Sequence, residues 1–262
     1  MTRLHHVLLL LLPWAVLDHL SGHAMAQIVN TQPLLAKGDA EGFSGELGAN
    51  FEWRTGNVDL LRLSSSLLLL YRKSEHTLLS NSNIEYGEKS SERYLYRTFS
   101  HFRYQYRASE EVTWEAYAQI ARDEFRRTKL RALVGIGPRL SFVDEKDARL
   151  TLGTAYMLEH ERYSPDTSVA DTELSRLNHR GSFYLDARLV PKEDITLLGT
   201  VYAQPNLLDW GDLLTHLELK CAVRLISKLA LNMSFTLAWD TTPTELVESL
   251  DTTTLVGLSW TF

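Results

Sequence analysis

Hydrophobic positions in this chain recur every second residue over long stretches. From Leu229 to Asp240, Leu229, Leu231, Met233, Phe235, Leu237 and Trp239 share one face, and Ala230, Asn232, Ser234, Thr236, Ala238 and Asp240 share the other. Successive side chains of a strand point to opposite faces, so the segment predicts a strand with one apolar and one polar wall. The last stretch repeats the pattern: Thr254, Val256, Leu258, Trp260 and Phe262 alternate with Thr253, Gly257, Ser259 and Thr261. An aromatic C-terminus on the apolar face suits a sheet whose outer wall meets lipid, and Trp260 and Phe262 resemble the C-terminal assembly signal of bacterial outer-membrane barrels.

The same period runs back through the chain. Phe43 to Arg54 alternates without a fault, and Thr55-Gly56-Asn57 reads as a tight turn. Strands follow at Asp59–Arg72, where Leu67 to Leu70 blurs the alternation, and at Thr77–Gly87, which is polar on both faces. Further strands are predicted over Arg93–Arg107, Glu111–Asp123, Lys129–Phe142, Arg149–Glu161, Arg180–Val190, Ile195–Gln204 and Leu213–Ile226. With the closing hairpin this makes about twelve strands. If the first runs outward, the even-numbered connections fall on the periplasmic side, and those at 73–76, 108–110, 144–147, 191–194 and 227 are short. The long ones, Tyr163 to His179, Pro205 to Asp212 and Thr241 to Asp251, fall on the other side. Short periplasmic turns with longer outer loops are the asymmetry of a transmembrane barrel. Aromatic residues collect at two levels. Phe43, Tyr104, Tyr106, Trp114, Phe142, Trp260 and Phe262 lie near one rim, and Trp53, Tyr94, Tyr96 and Trp239 near the other.

The front of the chain departs from this pattern. Arg3 precedes the apolar run Val7 to Leu17, and Ala24-Met25-Ala26 is a small-x-small cleavage site, so residues 1–26 read as a signal peptide. Residues 27–41 have no period and read as a periplasmic N-terminal arm; residues 42–262 are the barrel. The expected fold is therefore all-β: a transmembrane antiparallel up-and-down barrel in the cell outer membrane, facing lipid and lipopolysaccharide and delivered to the barrel-assembly machinery through its last strand. Mean hydropathy is only −0.17, as expected when every second residue is apolar. A soluble sandwich would also alternate, but its inward face would then be the apolar one.

Two stretches resemble a known family. GELGANFEWRTGNVDLLRLSSSLLLLYRK from Gly45, and YAQIARDEFRRTKLRALVGIGPR over Tyr117–Arg139, are similar to the salt-induced outer-membrane protein family, domain of unknown function 481. The resemblance implies an outer-membrane β-barrel with a role in salt or osmotic stress. It implies no reaction and no ligand.

The formal net charge of −6 argues against nucleic acid as a partner. Cys221 is the only cysteine, so no intramolecular disulfide forms, and parity puts it on the lipid side as a small apolar filler. No His or Cys cluster has metal spacing, and no cofactor is expected. A lipid-modifying enzyme would need a lipid-facing Ser–His pair near the rim. His160 has the right parity, but neither residue two positions away is a serine. Glu159 and Glu161 face the lumen two residues apart and are read as ion-paired rather than as acid–base catalysts. Gly135 and Gly137 are read as close-packing positions inside the barrel. Inward parity also collects Arg62, Arg97, Arg103, Arg107, Arg131, Arg139, Arg149, Arg188, Glu218, Lys220 and Arg224. Two readings follow: a charge network that fills and holds the lumen, or a narrow channel for small anionic or polar solutes. A third class, an adhesion partner, would use the long outer loops.

Overall fold

The computed structural model describes residues 41–56, 59–124, 126–165, 174–244 and 247–260. The signal peptide, the arm up to residue 40, Asn57 and Phe262 lie outside the described residues. Twelve strands form one antiparallel sheet in chain order: β1 (Gly42–Arg54), β2 (Leu60–Lys73), β3 (His76–Lys89), β4 (Glu92–Arg107), β5 (Val112–Asp123), β6 (Thr128–Asp144), β7 (Ala148–Tyr163), β8 (Ser175–Lys192), β9 (Ile195–Pro205), β10 (Leu213–Ile226), β11 (Leu229–Asp240) and β12 (Leu250–Trp260). Every neighbour pair is an up-and-down hairpin, so the backbones of β2 to β11 are satisfied by pairing on both sides. The weakly patterned Thr77–Gly87 segment is a full strand, and β8 begins five residues before the expected Arg180.

Register gives the sheet its tilt. One row of paired residues starts at Arg107, the last residue of β4, and passes through Thr113, Arg139, Gly153, Tyr184, Tyr202, His216 and Ala238. It ends at Asp251, the second residue of β12. A row that climbs a whole strand length means steeply inclined strands, about 35–45° in barrels. Side chains reach across the interior: Tyr184 of β8 donates to Glu115 of β5 at 2.9 Å, and Arg126 on the β5–β6 turn pairs with Asp251 of β12. The sheet is therefore rolled. Among the described residues no ladder joins β12 to β1, and these strands carry some of the most exposed apolar side chains, with Leu47 at 75% and Leu258 at 67%.

The apolar face is outward. Phe102, Trp114, Ile120, Val134, Ile136, Phe142, Leu177 and Trp260 are all exposed, while the residues between them are mostly buried. In water such a band would be a severe liability; facing hydrocarbon it is the stable arrangement. No helix among the described residues is long and apolar enough to cross a membrane, which leaves crossing to the strands. The turn at Ser90-Ser91 is tighter than the loop-length asymmetry predicts. Both serines have positive φ, 50° and 66°, the type I′ geometry that suits strand twist. Only the last three outer connections are long.

The inner face is more crowded than alternation implies. Leu68 and Leu70, in the stretch where the pattern blurs, turn inward and pack with Leu79. Phe99, Leu133, Met157, Tyr184, Tyr202 and Leu214 are also buried inside.

Candidate functional site

The interior charges fall into ion-paired groups. Near the outer end, Arg131 of β6 pairs with Glu159 of β7 and lies 3.4 Å from Glu161. Arg180 of β8 donates its Nε to Glu159 at 2.7 Å and both terminal nitrogens to Asp212 at 2.9 Å. Glu159 also accepts from Asn178 at 3.2 Å, and Glu161 from Tyr163 Oη at 2.7 Å. Glu159 is 0% exposed and Arg180 2%. Burying such charges is tolerable only because each is paired and hydrogen-bonded.

A second group holds the middle. Arg103 of β4 lies 3.3 Å from Glu115, which also accepts from Gln105 at 2.6 Å and from Tyr184. The guanidinium of Arg103 sits 5.2 Å over the Tyr117 ring, and Tyr184 and Tyr202 pack at 5.2 Å. Two glycines make room for these rings. A Cβ at Gly135 would lie 2.3 Å from Tyr117 Cζ, and one at Gly153 would lie 1.9 Å from Tyr184 Cε1. Gly137 serves another close approach, to the backbone oxygen of Thr154. A cavity of about 30 Å³ lies within this belt, room for a water or two and no more.

The remaining predicted residues are spread out. Arg62 and Arg97 share Glu85 at 3.4 and 3.2 Å, and Arg97 also reaches Asp123 at 3.0 Å. Arg149 pairs with Asp186 at 3.3 Å, and Lys220 with Glu218 at 2.9 Å. At the periplasmic end Arg224 bonds Asp194 at 2.7 Å, and Arg188 donates to the Lys146 carbonyl at 2.8 Å. Arg107 is exposed where β4 ends, and the buried Nε of Arg139 has no hydrogen-bond partner among the described residues. Lys129, whose alternation points it inward, is exposed at a β-bulge. Trp260 is exposed on the outer wall of β12.

Reasoning from sequence named the interior arginines but passed over Tyr117, Tyr184 and Tyr202. Their inward parity was the available signal. Asp212 and Asn206 sit in a loop without parity and could not be assigned a side. His160 faces outward between Ala132 and Leu177, and the hydroxyls in its row belong to Ser100 and Ser82, three and four strands away. Among the described residues no group of three His, Cys, Asp or Glu side chains could hold a metal ion.

Comparison with known proteins gives three results. A family model described as Protein of unknown function, DUF481, matches residues 45–262. None of the curated proteins is similar enough to count as a relative. Among solved structures, the chain is similar to the NanC porin at 10% identity and TM-score 0.46, covering 84% of this chain and 98% of that one. It is also similar to the CymD monoaromatic hydrocarbon channel at 10% identity and TM-score 0.43, covering 92% and 86%. A bacterial polysaccharide outer membrane secretin gives 10% identity and TM-score 0.42, covering 84% and 80%. Likenesses this distant leave function to the geometry of the chain itself.

Proposed function

Because the chain belongs to the DUF481 family of proteins of unknown function, we propose a role from the barrel's own geometry. It is an integral β-barrel of a bacterial outer membrane, made as a precursor with a cleaved leader, and its lumen is kept filled by ion pairs and aromatic rings. Its role is to serve the envelope under salt or osmotic stress, not to turn over a substrate. The observation that carries this is the fully buried Glu159 held between Arg131 and Arg180, continuous with the packed Arg103–Glu115–Tyr184 belt. A wide diffusion pore would leave such charges in water; here they are desolvated and tied. The short turns at one end and longer loops at the other support insertion with the loops outward. Exposed Trp260 on the outer wall supports handling of β12 by assembly machinery.

Planar-bilayer recording tests the reading. Folded protein is expected to give no sustained conductance steps. Steady steps with anion selectivity would replace it with the channel reading. That reading draws on the exposed inward residues Ser44 and Asn50 of β1, which the belt does not cover. A strain lacking the protein should grow normally in low salt and poorly in high salt; equal growth in both would remove the stress role.

A further inference from the structure

The lipid-facing wall carries a site that the lumen does not use. The inference rests on the barrel standing in a membrane with its longer loops outward. Register sets Ser82, Ser100, Ile120, Ala132, His160 and Leu177 in one outward row across β3 to β8. Where this row meets the next, the small side chains of Ser80, Ser100, Ala118 and Ala132 let the wall sink. Phe102 and Leu158 stand beside them. The result is a depression of about 440 Å³. A barrel wall is convex, so a hollow of this size is a local departure from it. Its volume and its apolar lining with a few polar groups are those of a ligand site, about 300–1,000 Å³. The polar groups are His160 and the hydroxyls of Ser80 and Ser100, the latter accepting from Ser82 just outside the hollow at 2.9 Å.

Directly beyond the hollow, toward the outer loops, the wall turns basic. Arg162 pairs with Leu130 two residues above the His160–Ala132 pair, about 7 Å along the strands. Arg162 is exposed, as is Lys129 at the adjoining bulge. Arg122 lies over the Tyr96 ring at 4.9 Å, and Arg93 over the same ring at 5.4 Å. Glu124 binds both, at 2.6 and 2.9 Å. Glu88, opposite Arg93 in the register and hydrogen-bonded to Tyr86, is a second carboxylate, so two carboxylates face four cations. An apolar slot capped by cations matches an amphiphile with an acyl chain and an anionic head.

We propose that this face binds lipopolysaccharide, with one acyl chain in the slot and a phosphate held by Arg162, Lys129 and Arg122. The cap lies at the long-loop end, where the outer leaflet presents a phosphorylated, multiply acylated lipid. An inner-leaflet phospholipid would need its cations at the other end.

The test is retention of added lipopolysaccharide by the detergent-folded full barrel through size-exclusion chromatography, read by native mass spectrometry. Phosphatidylglycerol is the competitor. Wild type should keep lipopolysaccharide and prefer it to phosphatidylglycerol at equal concentration. Lys129→Gln combined with Arg162→Gln should weaken retention about tenfold. Ala132→Phe, which fills the slot and leaves the charge alone, should weaken it too. Unchanged retention in the charge variant, or one-for-one displacement by phosphatidylglycerol, would overturn the proposal. Should Ala132→Phe fail to fold, the two exposed charge substitutions still decide. Heat-modifiable gel migration separates the two readings. A barrel that folds but ignores lipopolysaccharide counts against this site alone; a chain that never gives the folded band counts against the membrane barrel.

Discussion

Arg180→Met is the sharpest probe of the interior. In the native lumen Arg180 bridges two carboxylates, Glu159 at 2.7 Å and Asp212 through two bonds of 2.9 Å, and also donates to the Gln204 carbonyl at 3.2 Å. Methionine fills most of the space but supplies no charge. Glu159 would keep Arg131. Asp212 would keep Asn206, at 3.2 Å, and stay within electrostatic reach of Asp240. Removing one member of a desolvated ion pair costs about 3–5 kcal/mol, because the partner stays buried without compensation. Screening by water does not reduce this, since Glu159 and Arg180 are essentially inaccessible. With a guanidinium m-value of roughly 4–6 kcal/mol/M, the unfolding midpoint should fall by about 0.5–1.2 M. The assay is tryptophan fluorescence of barrels unfolded from vesicles. Asp194→Asn is the control: Asp194 is exposed and its partner Arg224 is only half-buried at the periplasmic turn, so about 1 kcal/mol or less is expected. A double variant, Arg180→Met with Glu159→Gln, should cost less than the sum of the singles, with a coupling of about 1–3 kcal/mol. If Arg180→Met costs no more than the control, the outer charges are hydrated and the filled-lumen reading fails.

Three further outcomes follow from the same geometry. Gly153→Ala places a methyl on the Tyr184 ring and should cost about 1–3 kcal/mol in the same unfolding assay. Introduced into a Tyr184→Ser background, the same change should cost little, and additive losses would mean that the ring is free to move. Ser91→Gly relieves a left-handed residue in the β3–β4 turn and should stabilise by about 0.5–1 kcal/mol; a loss would mean that the serine side chain holds the turn. Hydrogen exchange should be fastest in β1 and β12 and slowest in β6 to β8. Uniform protection would show that a β1–β12 ladder is as firm as the others.

Strand number, direction and facing were legible because a period of two leaves a signal over ten or more residues, and eleven or more residues is what each strand here has. Even the polar Thr77–Gly87 segment was placed, by its spacing between two clearer neighbours. Legibility failed where parity ran out. Leu68 and Leu70 are apolar yet inward, because β3 offers Leu79 across the register. Lys129 slipped its face at a bulge, which one inserted residue suffices to make. Asp212 could not be placed at all, since a loop residue has no face until the chain folds. The tyrosine belt was hidden differently. Tyr117, Tyr184 and Tyr202 satisfy both wall types, and Gly135 and Gly153 on neighbouring strands show that the rings of Tyr117 and Tyr184 lie over them.

Charge counted from parity overstates the field inside. The alternation assigns the lumen more cations than anions, and a cationic pore should favour anions. The fold brings in carboxylates that parity missed: Glu85 between Arg62 and Arg97, Asp212 on Arg180, Asp251 on Arg126 and Asp194 on Arg224. It also moves Lys129 to the exposed rim. In the outer and middle lumen the half-buried Arg97 and the buried arginines 103, 131 and 180 each contact at least one carboxylate, so the positive excess shrinks to the periplasmic end, around Arg107, Arg139 and Arg188. A field confined to one mouth can gather anions there without moving them across. Any leak through the belt would therefore be set by its neutral gaps, and substitutions at Arg107 should change anion accumulation at the periplasmic mouth while leaving conductance where it was.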